Sequence, residues 1–488
     1  MKEIIIVGAG LGGLTAGNLL AKKGHKVTIF ESHSMPGGYT AGFYRKGFYF
    51  ESGTLALEAS ASVFKAMKDI DVFEQIEFVR QEIRYISKIL DSIPENFDDY
   101  KKMIYSACPD EEKTLDKFFA EIEKIKRLMN NTEGPAPALF NGFEKIIKSL
   151  PYMITGAKLM VSARKYFNMT SSEFLEKYFK KDSMLYKLFT IGYPDMPVLL
   201  LCPEWVLNDY WTVKGGMQSW ADILAGNFRR LGGDIKLNSY VDRIITKNGA
   251  AAGVSCKNKI YNADYVISAS DYKKTFLKLL DDQSLIPGKL RDKINKSPVS
   301  EGFFTVYIGL NMSNEELVKY LKVPHVYILD DKFDHDIYNS TLVSFYSPSL
   351  VNPKHAPEGR SSLMLQAMAP YHWMNNWGGG DPETYKQLKE KVMNAIIDNA
   401  SKLIPNLKES IEYKDAATPL TYERFTHNTD GASSSWSWNP KNKFYKSPMS
   451  VNIKTPVKNL YIGSCWATQN GGIIGALLAA YECVKKIK

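Results

Sequence analysis

Gly8, Gly10 and Gly13 are spaced G-x-G-x-x-G, and Glu31 follows eighteen residues after the last of them. That pattern has a definite chemistry. A glycine at 8 permits a tight turn, one at 10 lets the main chain approach a pyrophosphate, and one at 13 lets a helix pack close to a strand. The amides that open such a helix face the phosphates. Glu31 stands where a carboxylate accepts hydrogen bonds from a ribose 2′-hydroxyl. Its charge would repel a 2′-phosphate, so the expected ligand carries an unphosphorylated adenosine ribose.

Positioning these residues requires a strand, a helix and a second strand, and residues 3–31 supply them. Ile4, Ile5, Ile6 and Val7 form the continuous β-branched run of a buried parallel strand. A helix follows, with Leu14, Leu19 and Leu20 on its apolar face and Lys22 and Lys23 in its last turn; Gly24 closes it. Lys26 to Phe30 reads as the second strand, ending at Glu31. NAD and FAD both satisfy this much. The pair Gly37-Gly38 behind Pro36, and the hairpin-like GFYRKGFYFESG that turns at Lys46-Gly47, favour FAD, whose longer body continues past the pyrophosphate.

Two distant segments extend the pattern. Residues 233–270 read as a β-meander around Val241, Ile244, Val254 and Tyr261, followed by a strand from Tyr265 to Ser268 that returns to the sheet. A helix from about Met217 to Leu231 precedes it, opened by Gly215-Gly216. Near the C-terminus, Leu460 to Ile462 reads as a strand ended by Gly463, and Gly471-Gly472 opens a helix running to about Lys486. A helix that starts on glycines offers amides and a positive dipole end to a developing anion.

Together these segments resemble the phytoene desaturase, carotenoid isomerase and retinol saturase group of FAD-dependent oxidoreductases. The likeness rests on the N-terminal fingerprint and its following Gly-Gly, on KGGMQSWADIL, on the Val241 strand, on THNTDGASSSWSW at 426–438 and on the C-terminal GGIIGALLAA. The resemblance implies that Gly8, Gly10, Leu11, Gly12 and Gly13 line the pyrophosphate of FAD and that Glu31 takes the adenosine ribose. By the same likeness, Gly37 and Gly38 run beside the pyrophosphate and ribityl chain, and the Val241 backbone meets the adenine. Gly463, Ile473 and Ile474 reach the ribityl chain and the isoalloxazine ring. The chain also departs from the group. Tyr39 stands where many members carry Arg, the FDxG pattern appears as Phe50-Glu51-Ser52-Gly53, and Ser464 replaces a frequent Asp.

The expected fold class is α/β: a discontinuous, glutathione reductase-like Rossmann domain for FAD, a mixed-sheet substrate domain and a helical cap. The expected boundaries are 1–60, 213–285 and 418–488 for the FAD-binding domain, 61–212 for the cap, and 286–417 for the substrate-domain sheet and helix. Residues from about 60 to 212 carry helical periodicity with few strand patterns. Phe303 to Ile308 reads as a strand, and a helix follows Asp381-Pro382 to about Leu403. No second complete dinucleotide fingerprint is present, so no separate NAD(P)H domain is expected.

Composition narrows the classes further. Of 488 residues 44% are hydrophobic and 24% charged, which excludes a disordered chain. Lys+Arg 62 against Asp+Glu 53 leaves +9, too weak a balance to indicate nucleic acid but compatible with an anionic membrane surface. From Lys145 to Lys181, eight basic residues face only Glu173 and Glu176, with Ile146, Ile147, Leu150, Met153, Ile154, Leu159, Met160, Val161 and Phe167 interleaved. This reads either as an interfacial segment or as the solvated face of a cap helix. No apolar run is long enough to span a membrane, and the short N-terminal run flows into the glycine motif, which is no use to a cleaved leader. Cys108, Cys202, Cys256, Cys465 and Cys483 are odd in number and lack Cys-x-x-Cys spacing, so a reducing, cytoplasmic setting is expected, peripheral to the membrane if the basic segment binds it. Oligomeric state is not legible.

The seven histidines show no metal-ligand spacing; His325 and His335 are ten apart, and His372 reads as a loop residue or as an acid near a cleft. No catalytic residue is assigned. Trp436, Trp438 and Trp466 read equally as a wall for a flat substrate or as core. The expected activity is FAD-dependent desaturation, saturation or isomerisation at carbon–carbon bonds of a lipophilic, carotenoid-like polyene. The rivals are a flavin amine oxidase and a non-catalytic FAD-binding lipid carrier.

Overall fold

The computed structural model describes residues 1–129, 134–162, 164–181, 183–191, 193–201, 209–329, 342–447 and 450–487. Cys202 and His335 lie outside the described residues. A five-stranded sheet runs in the order Leu460–Ile462, Tyr265–Ser268, Glu3–Val7, Lys26–Phe30, Asp234–Lys236. Every neighbouring pair in it is parallel. Its strands therefore come from both ends of the chain and from the middle, which is why the sequence signals are so far apart. Ile4, Ile5, Ile6, Val266 and Ile267 are buried on both sheet faces, as continuous β-branched runs require. The helices Leu11–Lys22, Met217–Arg230 and Gly472–Lys486 cover them. The predicted meander is present as Arg243–Lys247, Ala250–Cys256 and Lys259–Asn262 in antiparallel register.

The predicted hairpin forms from Gly42–Arg45 and Phe48–Glu51, with Lys46 and Gly47 at positive φ in the turn. It delivers Glu51 to the first amide of the helix Met217–Arg230. The Met217 amide lies 3.1 and 3.2 Å from the two carboxylate oxygens, and the Tyr49 hydroxyl donates at 2.8 Å. Burial pushes the Glu51 carboxyl up to about 8, against the pull of the Met217 amide and the Tyr49 hydroxyl. The Phe50-Glu51-Ser52-Gly53 stretch is thus an N-terminal support for a helix of the first domain. Gly53 makes room for the Tyr39 ring, which a Cβ at 53 would meet at 2.4 Å.

A second sheet has seven strands, ordered Ile411–Ala417, Gly302–Leu310, Ser361–Ala369, Leu342–Tyr346, His325–Leu329, Ile83–Ile86, Asp91–Ser92. One face packs Phe304, Val306, Ile308, Leu363 and Leu365 against Val392, Ile396 and Ile397 of the helix Pro382–Ala400. The other face turns toward the first domain. Ile83–Ile86 and Asp91–Ser92 are short strands in the 61–212 segment, where helical periodicity and few strand patterns were expected. Four residues are too few to display an alternation, and this strand is specified by its partner: Ile83 to Ile86 pair in parallel with His325 to Ile328. Arg84 then clamps the return strand through Asp91, at 2.6 and 2.7 Å. Phe78–Arg80 also pairs with Trp211–Val213, and the longest described elements of the segment are the helices Phe97–Ala107, Glu112–Met129 and Gly142–Ser162.

Candidate cofactor groove and substrate cavity

At the C-terminal end of the parallel sheet a groove is lined by Gly8, Gly10, Leu11, Gly12, Glu31, Gly37, Gly38 and Val241 from three separate segments. Ser464, Trp466, Gly472 and Ile473 extend it toward the second sheet. The crevice outside the carboxyl ends of parallel strands is where such sheets bind ligands. The glycines fall into two kinds. A Cβ at Gly10 would meet nothing within 4 Å, so its missing side chain leaves open groove. A Cβ at Gly13 would lie 2.1 Å from the Gly8 carbonyl oxygen, and one at Gly12 would lie 2.3 Å from that of Gly463. Gly12 and Gly13 therefore serve close packing, and only Gly12 also borders the groove. Gly37 closes the far side, its amide donating to the Ala9 carbonyl at 2.9 Å.

Gly13 and Gly463 were both expected to line the ligand, and neither borders the groove. Gly463 lies beneath it, where its amide donates to Ser268 and a Cβ would strike Ile267 at 2.4 Å. Ile474 faces the neighbouring cavity instead. Glu31 is nearly buried, and its carboxylate already accepts the Ala9 amide at 2.7 Å, the His33 amide at 2.8 Å and the Ser32 hydroxyl at 3.1 Å. It ties the phosphate turn to the end of the second strand while bordering the groove.

Sequence reasoning missed the opposite wall: Lys274, Asp271, His427 and Asn428. Asp271 is buried and holds this wall together. One of its oxygens accepts the Lys274 amide and the other the Thr429 amide, each at 2.7 Å. Burial pushes its carboxyl up, and those amides pull it down. His427 and Asn428 begin the THNTDG segment, which signalled the region without indicating which of its side chains face inward. The Tyr39 phenol donates to the Ala432 carbonyl at 2.8 Å and its ring stacks on Tyr422 at 5.7 Å. Burial pushes that phenol up, so the position that resembles an arginine site is neutral.

The chain matches the flavin-containing amine oxidoreductase family from residue 11 to residue 488. It belongs to that family. Its cofactor is FAD, and the groove fits it: a glycine cradle open at Gly10, a carboxylate at Glu31, and a helix start at the far end. The chain is 27% identical to a 4,4'-diapophytoene desaturase (4,4'-diapolycopene-forming) of Methylomonas sp over 486 residues, covering 91% of this chain and 88% of that one. It is 24% identical to the all-trans-retinol 13,14-reductase of Danio rerio over 536 residues, covering 99% and 85%. Its fold is similar to an oxidoreductase from Methanosarcina mazei (TM-score 0.65, 16% identity, 99% and 100% coverage). It is also similar to putrescine oxidase bound to putrescine (TM-score 0.64, 15% identity, 100% and 98% coverage).

Against the groove lies a cavity of about 520 Å³, bounded by the second sheet, the stretch Gly53–Glu58, residues between 191 and 201 of the cap, and the helix start. Thr54, Ser433, Ser434, Gly472 and Ile473 border both spaces. The amides opening the helix Gly472–Lys486 therefore stand where the two meet. Trp438 lines the cavity and Trp466 the groove. Trp436 lines neither. It is fully buried and stacked on Phe444, with ring centroids 3.7 Å apart, so here core packing prevails over the substrate-wall alternative. His372 is an exposed residue bonded to Asn376 at 2.8 Å. Among the described residues no group of three or more His, Cys, Asp or Glu could hold a metal, and no disulfide forms.

Proposed function

We propose that this FAD enzyme acts on carbon–carbon bonds of a lipophilic polyene, by desaturation, saturation or isomerisation. The cavity beside the Gly472 helix start carries this reading. Leu55, Leu57, Leu200, Leu201, Phe303 and Met368 make its walls largely apolar, and Glu58, the one charged residue among its described lining, stands exposed to solvent. Such a chamber suits a hydrocarbon chain better than an ammonium group, which would need a buried counter-charge. The desaturase and reductase names of the two relatives agree with it. FAD supplies a ring that takes up or returns a hydride equivalent. The protein's part is to seat the polyene, to keep water from it, and to present helix-start amides where charge changes.

Around that reaction we assign Gly8, Gly10, Leu11, Gly12, Gly37 and Gly38 to the pyrophosphate side, Glu31 to the ribose and Val241 to the adenine. Ile473 and Ile474 go to the ring end, with Trp438 and Trp466 beside the substrate. The division 1–60, 213–285 and 418–488 against 61–212 and 286–417 accompanies this assignment; the origin of the five parallel strands supports its first part, while Ile83–Ile86 and Asp91–Ser92 tie 61–212 to the second sheet. The test is chromatography of lipids after anaerobic incubation of oxidised and reduced holoenzyme with lipophilic polyenes. The expected product differs from its substrate by two hydrogens or by double-bond geometry. Unchanged polyenes in both redox states contradict the assignment.

The substrate's home bears on the helix Gly142–Ser162. Phe143, Ile146, Ile147, Leu150, Ile154 and Val161 recur at helical spacing along it, and all are exposed, from 44% at Ile154 to 86% at Val161. Lys148 and Lys158 are exposed on the same helix, whereas Lys145 is half-buried and paired with Glu482 at 3.1 Å. Among the described residues no helix is long and apolar enough to cross a membrane. An exposed apolar stripe flanked by lysines suits an anionic bilayer surface. Wild type is expected to sediment with anionic vesicles at low salt, and the double variant Ile147→Asp/Leu150→Asp to stay in solution. Equal sedimentation of the two would leave the stripe a solvated face.

A further inference from the structure

The cavity wall formed by the second sheet is not apolar throughout. Tyr327 pairs with Ser344, Ser344 with Gln366, and Gln366 with Thr305, in register across four strands. Residues directly opposite in a sheet share a face, so these four make one row, and His325, two residues before Tyr327, shares their face. The row is hydrogen-bonded at both ends. An imidazole nitrogen of His325 and the Ser344 hydroxyl are 2.9 Å apart, the Gln366 amide donates to Thr305 at 3.1 Å, and Thr305 meets the Tyr422 hydroxyl at 2.7 Å.

His325 is 3% exposed, and its second ring nitrogen, Nδ1, has no partner among the described residues. Burial depresses the imidazole to about 4, which keeps it neutral. The side-chain oxygen of Asn470, a further cavity residue beside the Gly471–Gly472 turn, is buried and also without a partner among the described residues. A chamber for pure hydrocarbon gains nothing from such groups, because unmet polar atoms out of water cost free energy. No Lys or Arg stands among the described lining residues to neutralise a carboxylate.

We propose that the substrate is a polyene bearing a neutral oxygen function, a hydroxyl, and that His325 and Ser344 are the specificity-determining residues that seat it against the sheet. The inference deepens the polyene reading and rests on it. A site built to bond a hydroxyl disfavours the analogue lacking it, because its own polar groups are then left unmet.

The test is equilibrium retention of two probes on immobilised, FAD-loaded enzyme: a conjugated polyene alcohol and the hydrocarbon of the same chain length. Wild type is expected to hold the alcohol roughly tenfold more tightly, about the worth of one or two buried hydrogen bonds. His325→Phe is expected to remove that preference by weakening the alcohol alone. Ser344→Ala deletes a single hydroxyl and serves as the milder variant, with flavin content as the folding control; it is expected to reduce the preference. A wild type that holds both probes equally, or variants that weaken both equally, would overturn the hydroxyl assignment and leave the polyene reading standing. Retention of neither probe would overturn both.

Discussion

Gly10→Val is expected to give folded, colourless protein. The backbone at Gly10 has φ −72° and ψ 177°, extended geometry that valine adopts without strain. A Cβ there meets no protein atom within 4 Å, so the apoprotein accepts the side chain. What it fills is the space beside the phosphate turn, and FAD affinity should fall by roughly a hundredfold or more, since main-chain approach to the pyrophosphate is lost. The contrast is Gly13→Ala. Its Cβ would press on the Gly8 carbonyl at 2.1 Å, backbone against backbone, so the fold itself should lose at least the ~1–3 kcal/mol typical of overpacking. Flavin absorbance of purified protein, with circular dichroism and a thermal melt, separates the two. A yellow Gly10→Val protein would show that the groove is not the pyrophosphate site.

Glu31→Ala should act twice. Removing the carboxylate orphans the Ala9 and His33 amides, a cost of about 1–3 kcal/mol to the apoprotein. On the proposed assignment of Glu31 to the ribose it also removes charge-assisted hydrogen bonds to the cofactor, so FAD affinity should drop about ten- to a hundredfold. A flavin titration and a melt of the apoprotein measure the two effects independently. A lower melting temperature with unchanged affinity would reduce Glu31 to a brace between the turn and the strand.

The cofactor groove was legible because its chemistry is local. Phosphate approach demands glycines at given offsets, and a parallel strand leaves a β-branched run, so Gly8, Gly10 and Glu31 could be read within thirty residues. Gly463 shows the limit. The family likeness suggested ligand contact, whereas its lack of a side chain answers to Ile267 and, through its carbonyl, to Gly12, contacts from strand and helix packing that no spacing encodes. The substrate side was illegible for a related reason. Ser344 lies 19 residues from His325, and Gln366 lies 61 from Thr305; the sheet register alone joins them into one row. His325 by itself looked like any strand histidine. The strand Ile83–Ile86 was missed because its identity comes from its partner, and Trp436 could not be sorted from Trp438 and Trp466 until burial was known.

The central claim, an FAD enzyme that addresses carbon–carbon bonds, is tested most directly by anaerobic stopped-flow recording of the flavin spectrum. Oxidised and dithionite-reduced holoenzyme are each mixed with a panel of lipophilic polyenes and a panel of primary amines. The predicted result is a flavin spectral change with at least one polyene in one of the two redox states, and none with any amine. Rapid flavin reduction by an amine, peroxide on re-aeration, and silence toward every polyene in both states would contradict it and make the enzyme an amine oxidase.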